Sequence, residues 1–341
     1  MKLNKNFAMI PVIIIAALAF FSACKDPVGV EEPNQNTSAE ARAFMKIAEN
    51  SPSLNSFTPN YSEEEAMALS KAEQDFNPIK VWQKFKLTSK NLTLEKDSTT
   101  AIGTFTQNFD GTLFIAGSFQ KETMGVSSPI DTVIEKPFST TITRMIKFDR
   151  IDNTGNDTLD WKVTGISLPA GGTAGDDINI VKITLTAHDG SEVVIDNPNT
   201  FFFDVGKDKN YDFDRDKENF VNFGFGVGNK VKFWKKLFTW YRKNQYVKLS
   251  VEILSNSPDP DMLTITHGAS MNGKHKSKEK FDLVSSIQEG NSYRKVYERN
   301  WKTDSNAGRK HIVINALPRI SIYDSESAVI EKTWGVPYKI Q

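Results

Sequence analysis

The sequence predicts a mainly β protein: an antiparallel β-sandwich, built as one long or two consecutive units and preceded by a short helical lead-in. From about residue 79, short runs of alternating or apolar residues are separated by Gly, Asp and Asn turns, as in half-buried antiparallel strands. No strand–helix–strand alternation is visible, which argues against a parallel α/β sheet. Aromatic residues make up 11% of the chain, with 23 Phe, a composition typical of strand cores.

The lead-in spans residues 38–78 and contains two predicted helices. The first covers residues 38–50, with Thr37 or Ser38 as the N-cap and an apolar face that includes Phe44 and Ala48. The second opens at Ser62 with a capping box and ends before Pro78. So few apolar residues cannot form a core of their own, so we expect this segment to pack on the main domain.

Strand patterns fill the rest of the chain. Asp189-Gly190 lies between two apolar runs and predicts a hairpin. We divide this part into β-rich units at 79–205 and 206–341, with a soft boundary near residues 197–216. The predicted strands include 104–106, 113–115, 141–143, 180–187, 193–195, 247–253, 262–266, 281–287, 293–301, 311–316 and 319–323.

Charge and cysteine content exclude several classes of function. Lys+Arg and Asp+Glu both number 42, so the formal net charge is zero and nothing favours a nucleic-acid partner. The chain has a single cysteine, Cys24, so a disulfide within the chain is excluded. The sequence also lacks a Gly-x-Ser-x-Gly nucleophile motif, a phosphate loop and a His-Glu-x-x-His zinc motif.

The N-terminus has the pattern of a targeting segment. Lys2 and Lys5 precede an apolar run over residues 7–21, which as a helix is about 22 Å long and shorter than a bilayer core. The run leads into Phe21-Ser22-Ala23-Cys24. A plain secretory signal and a short transmembrane anchor are the alternative interpretations of this segment.

These residues resemble the signal peptide and lipobox of bacterial lipoproteins, with Phe21 where Leu is commoner. The resemblance implies that residues 1–23 are removed, that Cys24 becomes the lipid-bearing N-terminus, and that residues 24–37 form a tether. Acyl chains on Cys24 would anchor the protein to a membrane. We expect the outer membrane, with display on the surface or on the periplasmic face left open by Lys25-Asp26, which matches a surface-export signal only in part.

An acidic stretch over residues 206–220 suggests calcium. Carboxylate and amide oxygens at alternate positions are suitable Ca²⁺ ligands, and the pattern resembles the first half of an EF-hand or dockerin loop. Neither register supplies the later glycine and bidentate glutamate, so an ordinary solvated acidic turn is the alternative. The candidate ligands are Asp208, Asn210, Asp212, Asp214 and Asp216.

A cationic, aromatic stretch follows over residues 229–244. Apolar residues at helical spacing and six Lys or Arg without an acid predict an amphipathic helix. Trp234, Trp240 and Tyr241 are the candidate ligand-binding residues, through stacking on a sugar or contact with an acidic partner. The alternative, which we favour, is that these aromatics pack the helix on the sandwich.

Histidines offer a weaker metal hypothesis. His267 and His275 flank an Asn-Gly turn and would meet across a hairpin, but no third ligand is evident. Structural or solvated histidines are the commoner situation.

The functional hypothesis is a lipid-anchored cell-envelope protein of a non-enzymatic binding or assembly type, with a glycan or a protein as its ligand. One alternative is a hydrolase that acts on envelope polysaccharide through carboxylates not yet identified. Another is a calcium-stabilised structural module. We expect no cofactor other than calcium.

Overall fold

The computed structural model describes residues 38–51, 54, 67–69, 76–119, 130–205, 241–269 and 277–340. The chain from Gln35 to Gln341 forms one compact unit. Its strands pair antiparallel in two sheets, and a helix precedes them, as the sequence predicts.

The first helix, α1 (Ala39–Glu49), forms where the sequence predicts it. The side chain of Ser38 accepts a hydrogen bond from the backbone N–H of Ala41 at 3.0 Å and caps the N-terminus. Phe44, Met45 and Ala48 lie on the buried face. Phe44 packs edge-on against Phe148, with ring centroids 4.9 Å apart, so the helix is part of the core.

The larger sheet is built around a meander of three long strands. β2 (Asn77–Lys96), β3 (Thr100–Ser118) and β4 (Thr132–Arg150) pair in sequence, and β1 (Met67–Ala68) pairs with the start of β2. The remaining strands of this sheet are β5 (Trp161–Ser167), β6 (Ala170–Gly172), β9 (Phe202–Asp204), β11 (Met262–Ala269), β12 (Ser277–Lys280), β15 (Gly308–Leu317) and β16 (Lys332–Ile340).

The short strand β6 joins the meander to the rest of this sheet, and its backbone lies very close to that of β4. The three-residue strand β6 pairs with β4 on one side and with β16 on the other. A Cβ atom at Gly171 would lie 1.9 Å from the carbonyl oxygen of Thr141, so this contact requires glycine.

The smaller sheet has the strand order β13-β14-β10-β7-β8, so β13 and β8 are its edges among the described residues. The hairpin predicted at Asp189-Gly190 joins β7 and β8, and Gly190 has φ +77°. The strands are β7 (Ile178–Thr186), β8 (Glu192–Ile195), β10 (Tyr246–Ser255), β13 (Asp282–Glu289) and β14 (Ser292–Lys302).

The main core lies between the two sheets. Alternating inward residues of the small sheet, such as Ile183 and Leu249, share one apolar cluster with Leu263 and Ile314 of the large sheet. Strands from both sides of the predicted boundary pair directly, because β10 lies next to β7 and β16 lies next to β6.

Two local predictions are wrong. Met67 and Ala68, expected in the second lead-in helix, form a strand against Val81 and Lys80, and the rest of that helix lies mostly outside the described residues. Residues 319–323, expected as a strand, form the helix α3 (Arg319–Tyr323). The remaining short helical elements are α2 (Asp157–Asp160) and a 3₁₀ turn, Pro198–Thr200.

A distant lysine explains the second difference. The buried Lys136 of β4 donates hydrogen bonds from Nζ to the carbonyl oxygens of Ser321 at 2.9 Å and Asp324 at 2.8 Å. These are carbonyls at the end of α3, where a cation is favourable. Burial lowers the pKa of the Lys136 ammonium, and the charge of Asp324 opposes that shift.

Candidate binding site

A concave site lies at a corner where the chain twice changes sheet. The chain leaves β10 of the small sheet and enters β11 of the large one through residues 256–261. It returns at Phe281, between β12 and β13, and the Phe281 N–H donates to the carbonyl of Leu263 at 3.0 Å. A cavity of about 300 Å³, which we call the corner cavity, lies beside these two crossings. Its lining includes Leu69, Met262, Leu283, Ile322 and Tyr323.

A buried ion pair forms one wall of the corner cavity. Asp261 lines it, and its Oδ2 atom lies 2.7 Å from the Nζ atom of Lys295 on β14. Both side chains are fully buried. The Lys295 ammonium also donates to the carbonyl of Asp259, and burial raises the pKa of the Asp261 carboxyl while the Lys295 charge opposes that rise.

The backbone of the crossing is fixed by a tyrosine. The Asp261 N–H donates to the Tyr297 hydroxyl oxygen at 2.8 Å, and that hydroxyl lies 3.3 Å from the Asp261 carbonyl oxygen, to which it donates. Burial raises the pKa of the Tyr297 hydroxyl, and the nearby Asp261 charge acts in the same direction. Tyr297 therefore remains a neutral group that positions Asp261.

The mouth of the corner cavity carries charged side chains. Lys280 and Asp282 line it from the second crossing, and Arg319 lines it from α3. The Arg319 guanidinium lies 4.1 Å from the ring centroid of Tyr323 and 3.9 Å from a carboxylate oxygen of Asp259. Because Asp259 is largely exposed, this last pair is weak and leaves Arg319 able to contact a ligand.

The Asp261 carboxylate is engaged by several protein groups. The Oδ2 atom of Asp261 is engaged by Lys295, whose charge opposes the rise that burial causes in the pKa of the carboxyl group. Hydrogen bonds of the same carboxyl group with the Ser255 side chain and the Arg319 backbone act in the same direction as Lys295 and lower its pKa. The corner cavity thus has a fully buried, paired carboxylate behind its wall and charged side chains among its lining residues.

The edge strand β13 begins at the same corner. Among the described residues it pairs with β14 alone, and it presents apolar side chains to solvent. Leu283, Val284 and Ile287 are 37%, 58% and 62% exposed. A register shift between Leu283 and Ser285 leaves Val284 as the extra residue of a bulge.

The edge formed by β2 has a different character. β2 carries five lysines over residues 80–96, and two of them, Lys90 and Lys96, form ion pairs with Glu49 and Glu40 of α1. Lysines and a covering helix are the usual protection of an edge against pairing with another chain. The segment 282–289 contains no lysine and no proline, so the bulge at Val284 and the acidic residues Asp282 and Glu289 at its ends are the protection that β13 itself carries.

Most of the sequence-predicted site residues lie outside the described residues. These are Cys24, the calcium candidates Asp208, Asn210, Asp212, Asp214 and Asp216, and the aromatic candidates Trp234 and Trp240.

Tyr241 is the described member of the predicted aromatic set. It is 4% exposed and packs between Trp301 and Tyr338, with ring centroids 5.6 and 6.0 Å away. Its ring is therefore covered by the core, and burial raises the pKa of its hydroxyl. The predicted helix is wrong over its described end, residues 241–244, because Tyr241 forms an isolated β-bridge with Ile340 and the next three residues are not helical. Tyr241 offers no surface for stacking on a sugar.

Of the two histidines in the metal hypothesis, the structure describes His267. The Nε2 atom of His267 lies 3.1 Å from Glu279 Oε1, and the other oxygen of Glu279 accepts a hydrogen bond from Arg299 at 2.6 Å. His267 is thus held by a carboxylate in a buried position, as in the structural interpretation. His275 lies outside the described residues. Within the described ranges, no three His, Cys, Asp or Glu side chains form a group suited to a metal ion.

The sequence alone does not predict the corner cavity, although one residue of β14 indicates a buried charge. Lys295 occupies an inward position of β14, in the alternating series that also contains Tyr293, Tyr297 and Trp301. A lysine in a buried series requires a partner carboxylate. The sequence does not identify that partner, since Asp261 precedes it by 34 residues.

Comparison with known proteins adds no relative. No protein-family model, no curated protein and no solved structure matches the chain. In the part of the chain that the structure describes, no helix has both the length and the apolar character needed to cross a membrane.

Proposed function

We propose that this protein is a lipid-anchored component of the cell envelope, of a non-enzymatic binding type, whose ligand is an extended segment of a partner protein. The observation that carries the proposal is the exposed apolar edge strand β13. An extended segment adds to such an edge through main-chain hydrogen bonds, and its alternate side chains contact the exposed apolar residues.

The composition of β13 favours a foreign partner over a second copy. Antiparallel pairing of two β13 strands about the point between Ser285 and Ser286 would place Val284 opposite Ile287, which is favourable. The same register places Asp282 opposite Glu289 at both ends, and like charges in direct opposition are destabilising. A partner segment with an apolar centre and a basic residue at each end avoids this repulsion.

A synthetic peptide tests this recognition. The probe is a fluorescent peptide of about ten residues, with alternating Val and Ile flanked by Lys, and its binding to the full chain in detergent is measured by anisotropy. We expect saturable binding that Ile287→Lys weakens at least about tenfold, because the new charge would face both the basic ends and the apolar centre of the peptide. Leu87→Lys is the matched control, since Leu87 is an exposed residue, 37%, of the β2 edge.

Three results would contradict the proposal. The first is absence of binding to the parent protein, and the second is equal weakening by Ile287→Lys and Leu87→Lys. The third is a concentration-dependent dimer, seen by sedimentation, that Ile287→Lys abolishes, because self-pairing would then be the role of the edge. A peptide with Glu at both ends should bind more weakly than the Lys peptide.

The anchor is tested separately. If Cys24 bears the lipid, the parent protein fractionates with membranes and Cys24→Ala does not. Protease treatment of intact cells then distinguishes display on the surface from the periplasmic face of the outer membrane. Membrane association of Cys24→Ala equal to that of the parent would rule out the anchor but leave the edge-strand proposal intact.

One observation favours a hydrolase as the second candidate. Asp261 and Asp282 both line the corner cavity, together with Phe281 and Tyr297, and glycoside hydrolysis commonly uses two carboxyl groups. The measurement is release of reducing ends from a panel of polysaccharides. A hydrolase would lose this activity in Asp282→Asn, whereas a binding protein shows none in either form.

A further inference from the structure

The corner cavity and the β13 edge are continuous. Leu283 lines the cavity and is also one of the exposed apolar residues of β13. Asp282, the first residue of β13, lines the cavity as well. An extended segment that pairs with β13 therefore has one end beside the cavity. The inference below rests on the proposed function, because it concerns a side chain of that segment.

The corner cavity has a buried floor and an accessible rim. Four apolar or aromatic lining residues are between 1% and 5% exposed and form the floor: Met262, Phe281, Tyr297 and Ile322. The rim is partly or fully exposed to solvent and includes Leu69, Pro260, Asp282 and Tyr323. A pocket of this kind is suited to a large apolar side chain that anchors a partner.

The size of the corner cavity is sufficient for an aromatic ring. Its volume is about 300 Å³. An apolar cavity of about 150 Å³ holds a benzene molecule, so twice that volume accommodates a phenol or an indole. The Asp261 carboxyl group is already paired with Lys295, and a neutral occupant leaves that buried pair intact.

The rim favours an aromatic ring with a polar edge. Lys280 and Asp282 carry opposite charges there, so the rim is polar without a strong preference for an anion or a cation. The Arg319 guanidinium lies 4.1 Å from the ring centroid of Tyr323, and a guanidinium also attracts the face of a second ring. Tryptophan and tyrosine combine an apolar body with a polar group at one edge, which matches this floor and this rim.

The register of β13 specifies which residue of the segment reaches the corner cavity. Leu283 pairs with the buried Tyr297 and lies on the inner face, whereas Ile287 pairs with Arg294 and lies on the outer face. Asp282 precedes Leu283 and therefore shares the outer face. In the added segment, the residue next to the one opposite Asp282, on the side away from Ile287, lies on the inner face beside Phe281.

We propose that the corner cavity binds the side chain of a tryptophan or tyrosine in the segment that pairs with β13, and that this residue lies immediately outside the basic residue opposite Asp282. The edge strand supplies main-chain hydrogen bonds, which are independent of sequence. The cavity supplies the selection of one side chain, as pockets beside an augmented edge do.

Three peptides in the anisotropy assay test the inference. The first is the Lys-flanked peptide, the second carries Trp after the C-terminal Lys, and the third carries Trp before the N-terminal Lys. We expect one Trp peptide to bind the full chain at least about tenfold more tightly than the Lys-flanked peptide, and the other to bind within about twofold of it. Antiparallel pairing brings the C-terminal end of the peptide to Asp282, and parallel pairing brings the N-terminal end there.

Protein variants locate the gain in affinity. Leu69→Trp fills the cavity and Tyr323→Leu removes an aromatic ring from its rim, and two positions are used in case one variant does not fold. Each should reduce the gain from Trp to about twofold or less and leave the binding of the Lys-flanked peptide unchanged. Leu87→Trp, at a partly exposed leucine of β2 that does not line the cavity, is the matched control and should keep the gain.

The outcomes separate this inference from the proposed function. Equal affinity of the three peptides would overturn the inference and leave the edge-strand proposal intact. An equal gain from Trp at both ends, a gain that persists in Leu69→Trp and Tyr323→Leu, or an equal loss in Leu87→Trp would also overturn it. Absence of binding by all three peptides would contradict both proposals.

Discussion

Lys295→Met would expose the energetic role of the buried ion pair. The Lys295 and Asp261 side chains have no exposed surface, and their charged atoms are 2.7 Å apart. Methionine keeps most of the volume of lysine but leaves the Asp261 carboxylate buried without its cation. Breaking a buried pair on one side costs about 3–5 kcal/mol, whereas replacing both partners by apolar residues is close to neutral. We therefore expect a loss of about 3–5 kcal/mol in Lys295→Met and a smaller loss in the double variant Asp261→Leu/Lys295→Met.

Urea unfolding, followed through the fluorescence of the six tryptophans, measures these differences. A domain of this size has a stability of about 5–15 kcal/mol, so the single variant remains largely folded in buffer if the parent lies above the lower limit. A loss below about 1 kcal/mol in Lys295→Met, or a double variant less stable than the single one, would refute the assignment of a buried, coupled pair.

The pH dependence gives the same variant a second readout. Burial raises the pKa of the Asp261 carboxyl, and removing Lys295 removes the charge that opposes this rise. An acid whose folded pKa is raised favours folding in its protonated form, and this contribution is lost as the pH rises through the folded pKa. The stability deficit of Lys295→Met relative to the parent should therefore be smaller at about pH 5 than at about pH 8. A deficit independent of pH would mean that the variant acts through packing alone.

Three further substitutions test contacts that stabilise the fold outside the corner cavity. Phe44→Ala removes a fully buried ring and should cost about 3–5 kcal/mol in urea unfolding, while Arg42→Ala on the exposed face of α1 should cost less than about 0.5 kcal/mol. Lys136→Met removes the hydrogen bonds to the end of α3, so hydrogen exchange should accelerate in residues 319–324, and unchanged exchange there would contradict the capping role. Hydrogen bonds from Thr154 lower the pKa of the Asp160 carboxyl group in the folded protein. The ionised carboxylate therefore stabilises the fold at neutral pH, and this stabilisation is lost as the pH falls through the folded-state pKa. Asp160→Asn should therefore lower stability at neutral pH and flatten its acid dependence, measured by thermal unfolding.

Local patterns predict the strands and the first helix well. The alternation in residues 247–253 appears as an alternation of buried and exposed side chains in β10, because a pleated strand has a period of two. Ser38 caps α1 through a contact three residues away, which is visible in sequence. The conformation of such elements is determined by residues a few positions away in the sequence.

Elements that depend on distant residues were predicted poorly. Residues 319–323 contain Ile320 and Ile322, an alternation too short to separate a strand from a helix. The helix forms because Lys136, far away in sequence, satisfies its last carbonyls. Likewise, a pattern identifies β13 as a strand but does not say that it lies at an edge, since that depends on the order of strands in the sheet.

The location of the corner cavity has a physical cause in the sheet crossings. When a strand leaves one sheet for the other, its backbone loses ladder partners, which other polar groups must replace. At residue 261 a tyrosine hydroxyl replaces the lost backbone partner, and at Phe281 the carbonyl of Leu263 does so. These replacement hydrogen bonds require polar groups inside the sandwich. The ion pair of Asp261 with Lys295 is one such group. A corner with two crossings therefore places buried, mutually satisfied polar groups beside a cavity, and their loss would destabilise the crossing and not only the cavity.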